Sequence, residues 1–154
     1  MNRSRSTPPV PVAWLGYGGL APFIATAAGS WLDVNQRDFW QQALLGYGAV
    51  ILSFVGALHW AFAMVSDSQS GKLSTRLYVW SVVPALVGWG ALLCSQVLAG
   101  GGKTGSAILM AAFVLHYLQD RRISEKILLP GWYLPLRLQL TMVACLCLTT
   151  SLIH

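Results

Sequence analysis

The sequence predicts an all-α fold, a polytopic transmembrane bundle of five helical spans. Three observations carry that prediction. First, the 154 residues are 55% hydrophobic and only 10% charged. A soluble domain carries about 25% charged residues, and a chain this small has too much surface to cover with so few charges. Second, the charges are unevenly spread. Uncharged runs cover Ser6 to Leu32, Phe39 to Ser66, Leu77 to Gly102, Thr104 to Gln119 and Leu138 to His154. Third, a helix needs roughly 20 apolar residues to cross the hydrocarbon layer, and most of these runs meet that length. The alternating ten-residue segments of a membrane β-barrel are absent.

The expected elements follow in order. Residues 1–9 form a cytoplasmic tail carrying Arg3 and Arg5, and residues 10–154 form one transmembrane domain. Span one covers residues 10–32. The Arg3 and Arg5 flank and the Ala25-Thr26-Ala27 segment resemble a secretory leader, but Pro22 and the glycines interrupt the apolar stretch, so the span is read as retained. Span two covers residues 40–65, and the polar segment SDSQSGKLSTR follows it. Span three covers residues 77–99 and ends at the glycine run GGGK. Span four covers residues 105–119. Its uncharged run of sixteen residues rises only about 24 Å, short of the roughly 30 Å core. Snorkelling by Lys103 and Arg121 closes the gap; the alternative is a re-entrant segment and four spans. Span five covers residues 132–153.

The connectors give the sidedness. Eight of the ten Lys and Arg residues fall at one end of the spans, and only Arg37 and Lys103 fall at the other. By the positive-inside rule the amino terminus is cytoplasmic and the carboxyl terminus outside. Trp14, Tyr78, Trp80, Tyr117, Trp132 and Tyr133 form an aromatic belt at the inner interface, and Trp31 and Trp40 at the outer one. Trp89 falls mid-span and is expected to pack between helices. The net charge of +5 and pI of about 9.5 therefore report topology. No basic stripe with an aromatic platform points to nucleic acid.

Packing is written in small residues. Ala49, Gly56 and Ala63 recur seven apart in span two, as do Ser81, Gly88 and Ser95 in span three. Such stripes let membrane helices approach closely. Pro22 and Pro84 each remove a backbone donor and are expected to kink their helices. The segment LGYG occurs at Leu15–Gly18 and again at Leu45–Gly48; four residues are too few to establish an inverted repeat.

Candidate chemistry is sparse. Cys94, Cys145 and Cys147 lie in apolar runs without zinc-ligand spacing. No nucleophile elbow, H-E-x-x-H, paired carboxylates or phosphate loop is present, so the chain is expected not to be an enzyme and to hold no metal or cofactor. The informative groups are ionisable ones at membrane depth, which are costly and often functional. His59 lies near the cytoplasmic end of span two. His116 and Asp120 stand i, i+4 on one face of span four. Arg137 enters span five from the same side. Three readings compete: a structural hydrogen-bond and ion-pair cluster, a substrate or proton site on a small carrier, and haem b ligation by His59 and His116.

Several segments resemble a known family. PVAWLGYGGLAPF (Pro11–Phe23), YGAVILSFVGALHWAFAM (Tyr47–Met64), RLYVWSVVPALVGWGALL (Arg76–Leu93) and PGWYLPLRLQLT (Pro130–Thr141) are similar to the family known as domain of unknown function 3429. That family includes bacterial membrane proteins and transmembrane protein 69. The most specific parts match at Gly19, Leu20, Pro22 and Phe23; at Ser53, Phe54, Gly56, His59 and Trp60; and at Trp132, Tyr133, Leu136 and Arg137. The resemblance implies a small multi-span protein of the bacterial inner membrane and no catalytic assignment. It adds Trp60 to the candidate site of His59, His116, Asp120 and Arg137. The expected function is that of a non-enzymatic accessory or assembly partner of a membrane complex, or of its own homo-oligomer. The alternatives are a proton-coupled carrier and a haem protein.

Overall fold

A computed structural model of the chain describes residues 7–66 and 71–153. Arg3, Arg5 and much of the polar connector after span two therefore lie outside the described residues. The elements are α1 (Val10–Gly18), α2 (Ala21–Leu32), a 3-10 turn (Val34–Gln36), α3 (Arg37–Ser66), α4 (Gly71–Val97), α5 (Gly101–Ser124) and α6 (Tyr133–Ile153). No strand occurs among the described residues.

The first span is two helices rather than one. Pro22 lacks an amide hydrogen and its ring crowds the carbonyl four residues earlier, so the chain breaks at Gly19 and Leu20. Tyr47 of α3 repairs the break: its hydroxyl donates to the Gly19 carbonyl at 2.8 Å. Pro84 leaves α4 continuous from Gly71 to Val97. At the far end of α2, the Arg37 Nε donates to the Ser30 carbonyl at 3.2 Å, satisfying an acceptor of the last turn.

The fourth span, helix α5, runs 24 residues without interruption, about 36 Å at 1.5 Å per residue, which is long enough to cross and argues against a re-entrant segment. It is longer than its uncharged window because Lys103, Arg121 and Arg122 extend it at both ends. Among the described residues, four helical units are long and apolar enough to cross a membrane: Val10–Leu32, Val34–Met64, Leu73–Val97 and Tyr133–Ile153. Helix α5 is less apolar: Lys103, Arg121 and Arg122 near its ends are exposed, while Ser106, His116 and Asp120 lie in one buried stripe with Gly101, Gly105, Leu109, Phe113 and Ile123.

Helices α3 and α5 form the centre. Helix α3 packs on α2, α4, α5 and α6, and α5 joins α4 to α6. The two small-residue stripes face each other across the α3–α4 contact. A Cβ on Gly56 would stand 2.9 Å from the Pro84 ring, and one on Gly88 would stand 3.2 Å from the Ala49 carbonyl. In lipid the drive for this contact is van der Waals packing, which the missing side chains permit. Gly100 makes the α4–α5 hairpin with φ of 69°, a left-handed conformation suited to glycine. The main apolar core gathers Phe23, Leu44, Leu45, Leu52, Leu109, Phe113 and Leu148, and a second cluster of Ala63, Leu77 and Ile123 lies toward the other end of the bundle.

Trp89 departs from expectation. It is 62% exposed, because Gly88 rather than Trp89 takes the place against α3.

Gly56→Leu is expected to separate α3 from α4 and destabilise the bundle by about 1–3 kcal/mol or more. Tyr47→Phe, which removes one hydrogen bond at the break, is expected to cost about 1 kcal/mol. Thermal unfolding of the two variants in nanodiscs checks the ranking; equal stability of Gly56→Leu and wild type would refute the close approach.

Candidate functional site

The site is assembled by three helices. His59 projects from α3, His116 and Asp120 from one face of α5, and Arg137 from the first turns of α6. All four converge between the two apolar clusters. The side chains of His59 and Asp120 are fully buried, and those of His116 and Arg137 are 2% and 7% exposed.

Asp120 is the hub. The Arg137 Nε donates to its Oδ2 at 2.9 Å. The His59 Nε2 stands 3.4 Å and the His116 Nε2 4.0 Å from its Oδ1. The two imidazoles meet edge to face with centroids 4.7 Å apart. Tyr133, one turn before Arg137, stands beside the Asp120–Arg137 pair and holds its ring 5.8 Å from that of Phe62.

Trp80 of α4 completes the arrangement. Its indole N–H donates to the His116 Nδ1 at 3.2 Å, and the two ring planes lie within 6° of each other. An indole nitrogen is a donor only, so Nδ1 must be the unprotonated nitrogen and Nε2 carries the hydrogen. That Nε2–H faces the Val55 carbonyl at 3.2 Å. One α4 side chain thus selects the tautomer of an α5 histidine, which in turn reaches the backbone of α3.

The arrangement bears on metal and haem. The ligand atoms of His59, His116 and Asp120 lie within 4.8 Å of one another. To ligate through Nε2, however, His116 would have to move its proton to Nδ1 and give up the Trp80 bond. A divalent ion would also add two positive charges beside an aspartate already neutralised by Arg137, at a buried site. The hydrogen bonds are set for proteins' own groups rather than for a cation. Haem fits no better, because imidazoles in direct contact leave no slot for a macrocycle between them.

Four of the five expected site residues are brought together. Trp60 is not: it is 49% exposed and packs on Tyr78 at 5.1 Å between centroids, since its neighbour His59 takes the inward position. Two further members, Trp80 and Tyr133, were assigned by sequence to the interfacial belt. Their inward orientation has a faint signal in their spacing: Trp80 lies one residue before Ser81 of the α4 stripe, and Tyr133 stands i, i+4 from Arg137.

Asp120→Ala is expected to strand the buried Arg137 cation and cost about 3–5 kcal/mol. A double replacement by apolar residues of similar volume, Asp120→Leu with Arg137→Met, is expected to recover most of that loss. Thermal unfolding of single and double variants in nanodiscs measures it, and strict additivity would show that the two side chains do not form one unit.

Residues 8–153 match the family described as a protein of unknown function, DUF3429. Transmembrane protein 69 of Xenopus tropicalis is 34% identical over 151 residues, which cover 95% of this chain and 55% of that protein. Transmembrane protein 69 of Mus musculus is 28% identical over 148 residues, covering 94% and 56%. The chain thus spans about half the length of the curated relatives it matches. No solved structure matches. A bundle whose buried cluster of His59, His116, Asp120 and Arg137 draws on two of the segments that resembled the family, matched over residues 8–153 by the family's own pattern, is a member of the DUF3429 family of membrane proteins.

Proposed function

We propose that the protein is a non-enzymatic, multi-pass protein of the bacterial inner membrane that works through helix contacts, as an accessory or assembly partner of a membrane complex. One observation carries this reading. The Tyr17 hydroxyl donates to the Gln139 Oε1 at 2.6 Å on an exposed face of the bundle. Gln139 lies six residues into α6 from Tyr133, about 9 Å along the helix axis. An amide at that depth on an outward face is costly in lipid and is a natural hydrogen-bonding contact for another transmembrane helix. The partner of that helix contact is a second membrane protein or a second copy of this chain.

The tetrad supports the same reading. His59 and Asp120 are fully buried, and Ala63, Leu77 and Ile123 pack beyond them. Such a group ties α3, α5 and α6 together. The rival reading, a proton-coupled carrier, needs a wetted route to these side chains, and their burial argues against it.

The proposed orientation has a cytoplasmic amino terminus and an outward carboxyl terminus. Arg76, Arg121, Arg122 and Arg137 gather at the tetrad end of the helices, and Arg37 and Lys103 at the opposite end, in the sense of the positive-inside rule.

Pull-down of the tagged chain from gently solubilised membranes is expected to recover a stoichiometric membrane partner, or a homo-oligomer. Gln139→Leu is expected to weaken that recovery while leaving thermal stability within about 0.5 kcal/mol. A monodisperse monomer with nothing bound would count against the proposal. An alkaline phosphatase fusion at the carboxyl terminus is expected to be active, and an inactive fusion would reverse the assigned sidedness.

A further inference from the structure

The outer face of the α4–α5 hairpin carries two recesses that meet at Trp80. One is a groove of about 280 Å3 walled by Val83, Pro84 and Val87 of α4 and by Ile108, Ala112 and Leu115 of α5. The other is a shelf formed by Thr75, Arg76 and Gln119, toward the end of the bundle that holds Leu77 and Ile123. Val79 and Leu115 at the edges are 64% and 58% exposed, so this face is open to lipid. Helical spacing builds it. Arg76, Trp80, Val83 and Val87 stand at i, i+4, i+7 and i+11 along α4, and Gln119, Leu115, Ala112 and Ile108 repeat those intervals in reverse along α5. The Trp80–His116 hydrogen bond sets the two antiparallel lines level. Eleven residues rise about 16 Å, about half of the roughly 30 Å hydrocarbon core. The combined recess therefore has the reach of one leaflet.

The head of the recess is cationic. Arg76 flanks the uncharged run of α4, is exposed, and has no carboxylate partner among the described residues. Arg122 stands i, i+3 from Gln119 and i, i+7 from Leu115, which places it on the same side of α5. The neighbouring acidic groups do not offset this charge. Asp120 is buried against Arg137, and Glu125 lies just past the last residue of α5.

We propose that this recess binds one anionic phospholipid of the adjoining leaflet, with its phosphate on Arg76 and Gln119 and one acyl chain along the groove. The planar guanidinium suits a phosphate because it donates two parallel hydrogen bonds, and the Gln119 amide adds a further donor. The Thr75 hydroxyl already donates to the Gly71 carbonyl at 2.8 Å, so it serves as wall rather than as ligand. Charge selects the head. A zwitterionic lipid brings its own cation beside Arg76 and Arg122, whereas an anionic one does not. Trp80, half-buried where shelf and groove meet, takes the level at which amphipathic rings meet headgroups. Its indole N–H is committed to His116, so it offers the lipid only its ring.

The full chain in detergent is titrated with dioleoyl phosphatidylglycerol or dioleoyl phosphatidylcholine and read by native mass spectrometry. The expected result is one preferred phosphatidylglycerol per chain, held about fivefold or more tighter than phosphatidylcholine. Arg76→Gln is expected to weaken the phosphatidylglycerol complex about fivefold, the effect of one cation beside an anionic lipid, and to leave phosphatidylcholine unchanged. Ala111 is an exposed residue of the groove; Ala111→Phe narrows it and is expected to weaken both lipids without lowering thermal stability. Arg121→Gln removes the same charge from the same end, about 200° around α5 from Gln119, and is expected to change neither. Equal affinity for the two lipids, or equal losses in Arg76→Gln and Arg121→Gln, would overturn the proposal, since bulk attraction then accounts for binding. Unchanged binding in Ala111→Phe, or displacement of the lipid by an equal concentration of sn-glycerol 3-phosphate, would leave a phosphate patch and overturn the lipid as occupant. A lipid-free dimer that Ala111→Phe disrupts would assign the face to a second copy and overturn it as well. Gln139→Leu is expected to leave lipid binding unchanged, which keeps this proposal separate from the helix-contact reading.

Discussion

The Asp120–Arg137 pair is the constraint on which the arrangement depends. Two opposite charges meet at 2.9 Å in the buried interior of the bundle. Neither could be held alone there, because an unpaired charge at such depth is costly in lipid. Once paired, they dictate that α5 and α6 meet at this level. They also place the remaining Asp120 oxygen where His59 of α3 can face it. Trp80 then draws α4 in through His116. A single carboxylate thus sets the relative height of four helices in an environment where apolar burial discriminates little between registers.

The close approach of α3 and α4 complements this polar lock. Gly56 against Pro84 and Gly88 against Ala49 leave no room for even a methyl group at ordinary distance. Shape decides this contact and hydrogen bonding decides the other. The broken first span follows a third rule. Pro22 opens the backbone, Tyr47 satisfies the exposed carbonyl, and Gly16 leaves space beside it.

Membership of DUF3429 places this arrangement in a family whose curated relatives here are roughly twice as long. The features described lie within the shared segment. The two LGYG segments show how little a short repeat means on its own. Tyr17 of the first reaches outward to Gln139, whereas Tyr47 of the second reaches across to Gly19.

What the sequence determined alone was whatever depends on the solvent. Long uncharged runs admit only helices in lipid, and the i, i+4 spacing of His116 and Asp120 fixes them on one helix face whatever the tertiary fold. The seven-residue stripes announced which faces of α3 and α4 could touch. Rotation of each helix about its axis was decided only by packing. That is why Trp60 and Trp89 turn outward, while the half-buried Trp80 and Tyr133 turn toward the buried cluster. An indole suits an interface or a buried acceptor equally well, and only the position of the His116 Nδ1 tells the two apart. The length of α5 likewise needed the fold, because Ser106, His116 and Asp120 lower its apolarity and are tolerated where other helices bury them.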